Sequence, residues 1–343
     1  AAAMTADGKL RVLVVGCGNI AGGFDAARDA SAWPLTHAGA YTRHGGFRLD
    51  ACVDPDESRR QAFMQRWGVT TGFSEVDALQ AWAGEFDVVS ICSPTDLHAG
   101  HLEQVLALRP RLIFCEKPVT PDAATTARLV QLCQQQGVAL AINHTRRWAP
   151  DVIRLKQELV AGQWGAVRSV AGHYNKGLLN NGGHLVDLLH LLLGPLEVQW
   201  AGPPVHDFWP LDPSVPAQLL AAGNIPVHLS VSHAADYALF ELQIVTEAGV
   251  IAMEEGGLWW RVRQATASAQ FAGYRSLDAG IRIAGEYQQA MAGAVANLHL
   301  HLYSGEPLAS TGVTALQAQQ VCETIRQVTS RAADAAPLQD PTP

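Results

Sequence analysis

The spacing of apolar and polar positions along the 343-residue chain changes character near residue 150. Before that point, short continuous apolar runs alternate with stretches of helical period. Lys9 to Val15, Arg48 to Val53, Phe86 to Cys92, Leu112 to Glu116 and Val138 to Ile142 read as strands, since an unbroken apolar run suits a strand covered on both faces. Pro34 to about His44, Asp56 to Trp67, the stretch after His98 and Ala123 to Gln136 read as helices, with Gly68 and Gly137 as stops. Strands and helices in alternation predict a right-handed βαβ series and a parallel sheet. After Pro150 the pattern opens with a helix, Asp151 to Ala161, then an alternating strand, Ala166 to Tyr174, and a short amphipathic helix, Gly182 to Leu193. Strands follow at 196–201, 226–233, 238–246, 249–254 and 258–264, closed by helices Glu286 to Tyr303 and Thr314 to Ser330. The expected architecture is therefore α/β followed by α+β. Residues 9–148 form a domain on a parallel sheet, 149–331 a domain on an open, predominantly antiparallel sheet, and 332–343 a flexible polar tail. Apolar residues along the second sheet, Trp259 and Trp260 among them, point to a face covered by a second subunit.

Composition narrows the class of partner. A 48% hydrophobic content supports a sizeable core, and a net charge of −8, with basic residues clustered only in pairs such as Arg59-Arg60 and Arg146-Arg147, argues against nucleic acid and anionic membranes. No apolar run approaches the ~20 residues of a membrane span. The start lacks the basic and apolar regions of a signal peptide, and Ala1-Ala2-Ala3 before Met4 reads as a cloning remnant. Six cysteines, at 17, 52, 92, 115, 133 and 322, occur singly, as expected of reduced thiols in a cytoplasmic protein. The pairs His98/His101 and His299/His301 lack a third ligand nearby, so no metal site is expected. A small molecule is the expected partner.

Two stretches carry chemistry. Lys9 to Val15 runs directly into Gly16-Cys17-Gly18-Asn19-Ile20-Ala21, the Gly-x-Gly-x-x-Ala form of a dinucleotide loop. Its first glycine makes the tight turn, its second lets backbone approach a pyrophosphate, and Ala21 permits close packing on the strand. Gly22-Gly23 and the stretch to Trp33-Pro34 interrupt the helix that usually follows at once. The second strand ends on Asp54, where an acid accepts hydrogen bonds from the adenosine ribose and repels a 2′-phosphate, so NAD is favoured over NADP. Its separation from Gly16 exceeds the usual ~20 residues, which the insertion explains. Arg59 and Arg60 follow closely and keep NADP open. The other stretch is Leu112-Ile113-Phe114-Cys115-Glu116-Lys117-Pro118, a buried strand that delivers a lysine to the carboxyl edge of the sheet, where open α/β sheets bind ligands. Taken alone, it reads more readily as a solvated loop lysine beside Glu116.

Taken together, the glycine loop, Ser93-Pro94-Thr95 with His98, Glu116-Lys117-Pro118, Arg146-Arg147-Trp148 and Gly183-His184-Leu185-Val186-Asp187 resemble the glucose-fructose oxidoreductase, inositol dehydrogenase and rhizopine-catabolism family (Gfo/Idh/MocA). The resemblance spans Leu10 to about Ser330. It implies a Rossmann NAD(P)-binding domain, hydride transfer between the nicotinamide and a secondary alcohol of a sugar, polyol or sugar derivative, and a homodimer or homotetramer joined through the second sheet. Position by position it implies Gly16, Gly18, Asn19, Ile20, Asp54, Ser93, Pro94, Thr95, His98, Glu116 and Lys117 at the cofactor. Lys117 polarises the reacting hydroxyl, through a cis Lys117-Pro118 peptide, and His184 accepts the proton. Arg147, Tyr174, Asn175, Lys176, Asn180 and His184 fall where substrate is expected, and Lys176 suits an anionic group such as a uronate or phosphate. Asp187 reads as an acceptor anchoring its helix, and His144, His173 and His233 as structural. Two alternatives stand beside the dehydrogenase: a glycosidase that retains NAD through an oxidation and re-reduction, and a regulator that binds nucleotide or sugar without turnover.

One position departs from the family pattern. Four residues before the histidine an aspartate is usual, and this chain has Asn180, followed by Asn181. Residues 180 and 184 share a face of a helix, so Asn180 is counted with the catalytic set, but it carries no charge to favour an imidazolium. The His184 pKa is therefore expected to lie lower than in aspartate-bearing relatives. The comparison that checks this is the pH–rate profile of Asn180→Asp against the wild type; the acidic limb should move to higher pH, and an unmoved limb would count against the idea.

Overall fold

In the computed structural model, which describes residues 6–335, the N-terminal part is built on six parallel strands. They are β1 (Leu10–Val15), β2 (Phe47–Val53), β3 (Thr71–Phe73), β4 (Val88–Ile91), β5 (Leu112–Cys115) and β6 (Ala139–Ile142), in the order β3-β2-β1-β4-β5-β6. The helices between them are α1 (His37–His44), α2 (Glu57–Trp67), α3 (His98–Ala107) and α4 (Ala123–Gln135). The expected parallel sheet is present. Strand β3 was not anticipated, because three residues are too few to show a period. Alternate residues divide between two cores: Val12, Val14, Val88, Leu112 and Phe114 on one face, Leu13, Val15, Val89, Ile91 and Ile113 on the other. Burying each such side chain contributes roughly 1.5–3 kcal/mol. A polar residue within these strands must therefore find a partner, and Ser90 of β4 is fully buried.

The order of strands reverses between β1 and β4, which places a crevice at their carboxyl ends. Helix α1 does not follow β1 directly. A turn after Asn19 is interrupted, the chain makes an excursion, and α1 begins at His37 with the Thr36 hydroxyl capping Gly39 N at 3.0 Å. Pro34, expected in its first turn, lies outside, because the cap belongs to Thr36. The excursion is closed at its base. His37 N and Ala38 N donate to the carbonyls of Ile20 (3.2 Å) and Ala21 (2.9 Å), and buried Asp25 accepts from Leu35 N (2.9 Å), Thr36 N (2.9 Å) and the Thr36 hydroxyl (2.5 Å).

The second unit begins within α5 (Pro150–Val160) and is built on a mixed, mostly antiparallel sheet. Its elements are β7 (Val167–Tyr174), α6 (Gly183–Leu193), β8 (Leu196–Ala201), β9 (Val205–Trp209), β10 (Asp212–Ser214), β11 (Ala217–Ala221), β12 (Ile225–Val231), β13 (Phe240–Thr246), β14 (Gly249–Glu254), β15 (Trp259–Ala267), β16 (Arg275–Leu277) and β17 (Ile281–Ala284). The sheet runs β16-β15-β14-β13-β7-β12-β11-β8, with β17 on β15; β7 and β12 are its parallel pair, and β9 and β10 form a separate hairpin. Strands β9, β10, β11, β16 and β17 were not foreseen, because their sequences are short, polar or interrupted by Pro and Gly. Registered residues Trp200, Gln218, His228, Ala171, Gln243, Ala252 and Arg261 cross one face of this sheet, which mixes aromatic, polar and small side chains.

Two helices close the chain, α7 (Ala290–Ser304) and α8 (Gly312–Ala335). Their placement corrects the expected boundary. The first unit comprises the residues up to Ile153 together with Glu286–Leu316; the second comprises Arg154–Gly285 and the residues from Gln317 on. Helix α7 joins the first unit because a parallel sheet needs cover on both faces, and Met291, Ala294, Val295 and Leu298 supply it beside Trp148, whose indole N–H donates to Asn297 at 2.9 Å. Helix α8 continues to Ala335, so the first residues of the expected 332–343 tail are helical, while 336–343 and the opening Ala1-Ala2-Ala3 lie outside the described residues.

The clasp at the base of the excursion generates a stability prediction. Asp25→Ala should destabilise the protein by about 3 kcal/mol, since buried N–H donors lose a charged acceptor. Urea denaturation should show a lower midpoint at unchanged slope; an unmoved midpoint would mean that the excursion is held elsewhere.

Candidate active site

The residues expected at a cofactor gather at the carboxyl edge of the parallel sheet. Gly16 N donates to Val53 O (2.7 Å) and Cys92 N to Val15 O (2.7 Å), so the glycine loop and the segment after β4 leave the sheet side by side. Gly16 has φ +88°, and a Cβ there would lie 2.7 Å from Ser93 N, so both conformation and space require glycine. A Cβ at Gly18 would meet no protein atom within 4 Å. The space beside Gly18 is thus free for a ligand, as a loop that receives a pyrophosphate needs. A cavity of about 230 Å³ opens there, lined by Cys17, Gly18, Asn19, Arg59, Arg66 and Trp67 among others.

Asp54 ends β2 and is buried. Its carboxylate accepts from Cys17 N (2.9 Å) and Asp56 N (2.9 Å), and half-exposed Arg59 lies 3.4 Å away. It therefore fixes the glycine loop from below as well as setting the charge of the cavity. Ser93 is buried, with its hydroxyl 2.7 Å from His101 Nδ1. His98 differs from expectation. Its ring is buried, with Nδ1 2.8 Å from Pro118 O and Nε2 2.8 Å from Ser93 O, so it braces the two loops to one another.

Glu116, Lys117 and Pro118 follow β5, and the Lys117–Pro118 peptide is cis. The sheet ladder continues past the strands, since Glu116 N donates to Ile91 O (3.0 Å) and Asn143 N to Cys115 O (2.9 Å). Glu116 Oε1 is consequently 2.8 Å from His37 Nε2 and accepts from Asn143 Nδ2 at 2.6 Å. Burial works to raise the pKa of this carboxyl. The hydrogen bond from His37, the Asn143 amide and the Lys117 charge oppose burial and hold it below the usual value. Behind His37, Nδ1 lies 2.9 Å from Ser90 Oγ, which lies 2.7 Å from the Tyr41 hydroxyl. His37, Tyr41, Ser90 and Asn143 escaped sequence reasoning. The signal that would have found them is a serine inside an apolar strand, facing a helix with His and Tyr four residues apart.

In the second unit the structure separates the expected substrate residues. Tyr174 and Asn175 are corrected to core positions. Both are fully buried; the Tyr174 hydroxyl donates to Val215 O (2.7 Å), and the Asn175 amide bonds Ser232, Tyr237 O and Leu239 N. An alternating strand end points such residues inward as readily as outward. Arg147, of the first unit, is also buried and donates to Ala309 O (3.3 Å). Lys176, Asn180 and His184 are partly exposed, spaced four apart. Lys176 is left-handed at φ 62°, its ammonium 5.3 Å from the centre of the Phe208 ring. Residues Gly177–Gly182 form a π-helical turn ahead of α6, so Asn180 and His184 do not lie on one regular α-helix as expected. The β9–β10 hairpin satisfies the N–H groups this turn leaves open: Lys176 N donates to Asp207, Gly177 N to Ser214, and Leu179 N and Asn180 N to Asp212. The Asn180 amide itself donates to Lys176 O at 3.1 Å.

Comparison with known proteins accords with this arrangement. Residues 10–144 match the model of the oxidoreductase family with an NAD-binding Rossmann fold (GFO_IDH_MocA). The chain is similar to inositol 2-dehydrogenase of Rhizobium meliloti, 30% identical over 134 residues that make up 39% of each chain. It is also similar to D-xylose 1-dehydrogenase (NADP(+)) 2 of Haloferax volcanii, 34% identical over 36% of this chain and 38% of the relative. These matches span about two-fifths of the relatives' length. An oxidoreductase from Agrobacterium radiobacter, solved with NAD+, L-tartaric acid and magnesium, shares the fold, with a TM-score of 0.74 at 17% identity over 94% of this chain and 97% of that one.

The depressed Glu116 carboxyl carries a pH prediction. A carboxyl with a lower pKa folded than unfolded contributes stability that is fully present above its ordinary value of 4.5 and is lost as pH falls through its folded value. Glu116→Gln should thus be less stable than wild type near neutral pH, with a deficit that shrinks as pH falls below 4.5. Urea denaturation at stepped pH reads this; a deficit of constant size would show that the charge is not what the network holds.

Proposed function

We propose that this chain is an NAD-dependent dehydrogenase acting on a secondary alcohol of a sugar, polyol or sugar derivative. The observation that carries the reading is Lys117, delivered by β5 to the carboxyl edge of a dinucleotide-type sheet beside a carboxylate held ionised. The dehydrogenase relatives of inositol and xylose support the substrate class. A nicotinamide cofactor, when bound, supplies the hydride acceptor. Gly16, Gly18, Asn19 and Ile20 receive its diphosphate, Asp54 its adenosine ribose, and Ser93, Pro94 and Thr95 border it. Buried Asp54 favours NAD, because a 2′-phosphate would meet a carboxylate already engaged by the glycine loop. Lys117 as an ammonium stabilises the alkoxide that develops on the substrate, and His184 takes the hydroxyl proton. Lys176 and Asn180 bind substrate, Lys176 through an anionic group. The first unit serves the cofactor and the second serves substrate and association, the latter through the mixed face of its sheet in a homodimer or homotetramer. Six buried free cysteines accord with a reducing, cytoplasmic setting.

The test is NADH formation at 340 nm with purified protein, NAD and a panel of hexoses, inositols, uronates and amino sugars. One class should be oxidised, and Lys117→Ala should lower kcat about 10²–10³-fold. Free sugar released with no net NADH would select the NAD-retaining glycosidase instead. Nucleotide binding without any turnover would select the regulator.

A further inference from the structure

The hydrogen bonds behind Glu116 have only one consistent direction. An ionised carboxylate accepts and cannot donate, so the His37 nitrogen facing it, Nε2 at 2.8 Å, carries a proton. The other side of the ring is settled by the hydroxyls. Were Nδ1 to donate to Ser90, the Ser90 proton would pass to Tyr41, and the Tyr41 proton would then have no acceptor among the described residues. Tyr41 is fully buried, and burial first, against the opposing Ser90 bond, pushes its phenol upward, so it remains a hydroxyl. Every proton is placed when the Tyr41 hydroxyl donates to Ser90 Oγ (2.7 Å), the Ser90 hydroxyl to His37 Nδ1 (2.9 Å), and Nε2–H to Glu116. The ring is fully buried, with its centroid 4.5 Å from that of Phe114, and Asn143 closes on the same carboxylate oxygen at 2.6 Å.

We propose that His37 is a positioning residue, a neutral ring held between the Glu116 carboxylate, which takes the Nε2 proton, and the Ser90–Tyr41 hydroxyl pair, which donates to a bare Nδ1, so that it fixes Glu116 beside Lys117. The pair acts through the ring, as outer partners set the tautomer of a metal-bound or catalytic histidine. The link to turnover rests on the role proposed for Lys117; the tautomer does not.

Long-range ¹H–¹⁵N correlation spectra of the full chain labelled at histidine, assigned with His37→Gln, read the tautomer directly. The wild type should show His37 protonated at Nε2 and bare at Nδ1. Ser90→Ala, which strips Nδ1 of its donor, should leave Nε2 protonated and move the bare Nδ1 resonance downfield, toward that of a ring nitrogen that accepts no hydrogen bond. Ser90→Thr, which restores the hydroxyl, should return the wild-type position. Tyr41→Phe removes one oxygen at constant shape and should move the Nδ1 resonance in the same direction by less, so it serves should Ser90→Ala fail to fold. A proton on Nδ1 in the wild type, or an Nδ1 resonance unmoved in both Ser90→Ala and Tyr41→Phe, would overturn the proposal. Loss of the catalytic reading would appear elsewhere, as NADH formation indifferent to Lys117→Ala.

Discussion

A negative charge at the end of a strand buried on both faces is the constraint around which the first unit is arranged. Removing a carboxylate from water is costly unless donors and countercharges replace the lost hydration. Glu116 receives them from three directions, His37 on α1, Asn143 after β6 and Lys117 next in sequence. Each direction imposes something further. Asn143 reaches the carboxylate because the ladder between β5 and β6 continues past the strand ends. His37 needs a partner for its second nitrogen, which puts a serine into β4 where every neighbour in the strand is apolar.

This requirement also explains how the chain tolerates an insertion inside its dinucleotide motif. Helix α1 starts far from the glycine loop in sequence, yet His37 N and Ala38 N bond the carbonyls of Ile20 and Ala21 as though the helix had never been broken. Asp25 clamps the two ends of the excursion, so its length is absorbed at the surface and the position of His37 is unchanged. Surface excursions add little closure entropy as they lengthen. What they endanger is register, and that is what Asp25 protects.

The alternation of strands and helices, the glycine loop, Asp54 and the lysine at the end of β5 were legible in the sequence because each leaves a local mark, a period, a turn residue or a strand end. The network under Glu116 was not, since its members lie on four separate elements and none is unusual alone. The same limit explains the domain boundary. Whether α7 covers one sheet or another depends on which apolar stripe fits, and both sheets present such faces. Tyr174 and Asn175 were misplaced for a related reason. Period-2 alternation says that neighbours point opposite ways, but at a strand end a hairpin can bury both, as the Val215 and Ser232 contacts do.

The second unit shows how one side chain can serve two demands. A π turn ahead of α6 leaves backbone N–H groups that the β9–β10 hairpin satisfies with Asp207, Asp212 and Ser214. These acids already concentrate negative charge around residues 176–180, and the carbonyl of Lys176 adds another acceptor on which Asn180 closes as a donor. An aspartate at 180 has no proton to give that carbonyl at neutral pH and would stand near Asp212 as a like charge. Asparagine at 180 is thus the residue this turn accepts. A change at 180 alone therefore alters the turn and the electrostatics together, and the two separate only if the hairpin acids are changed with it.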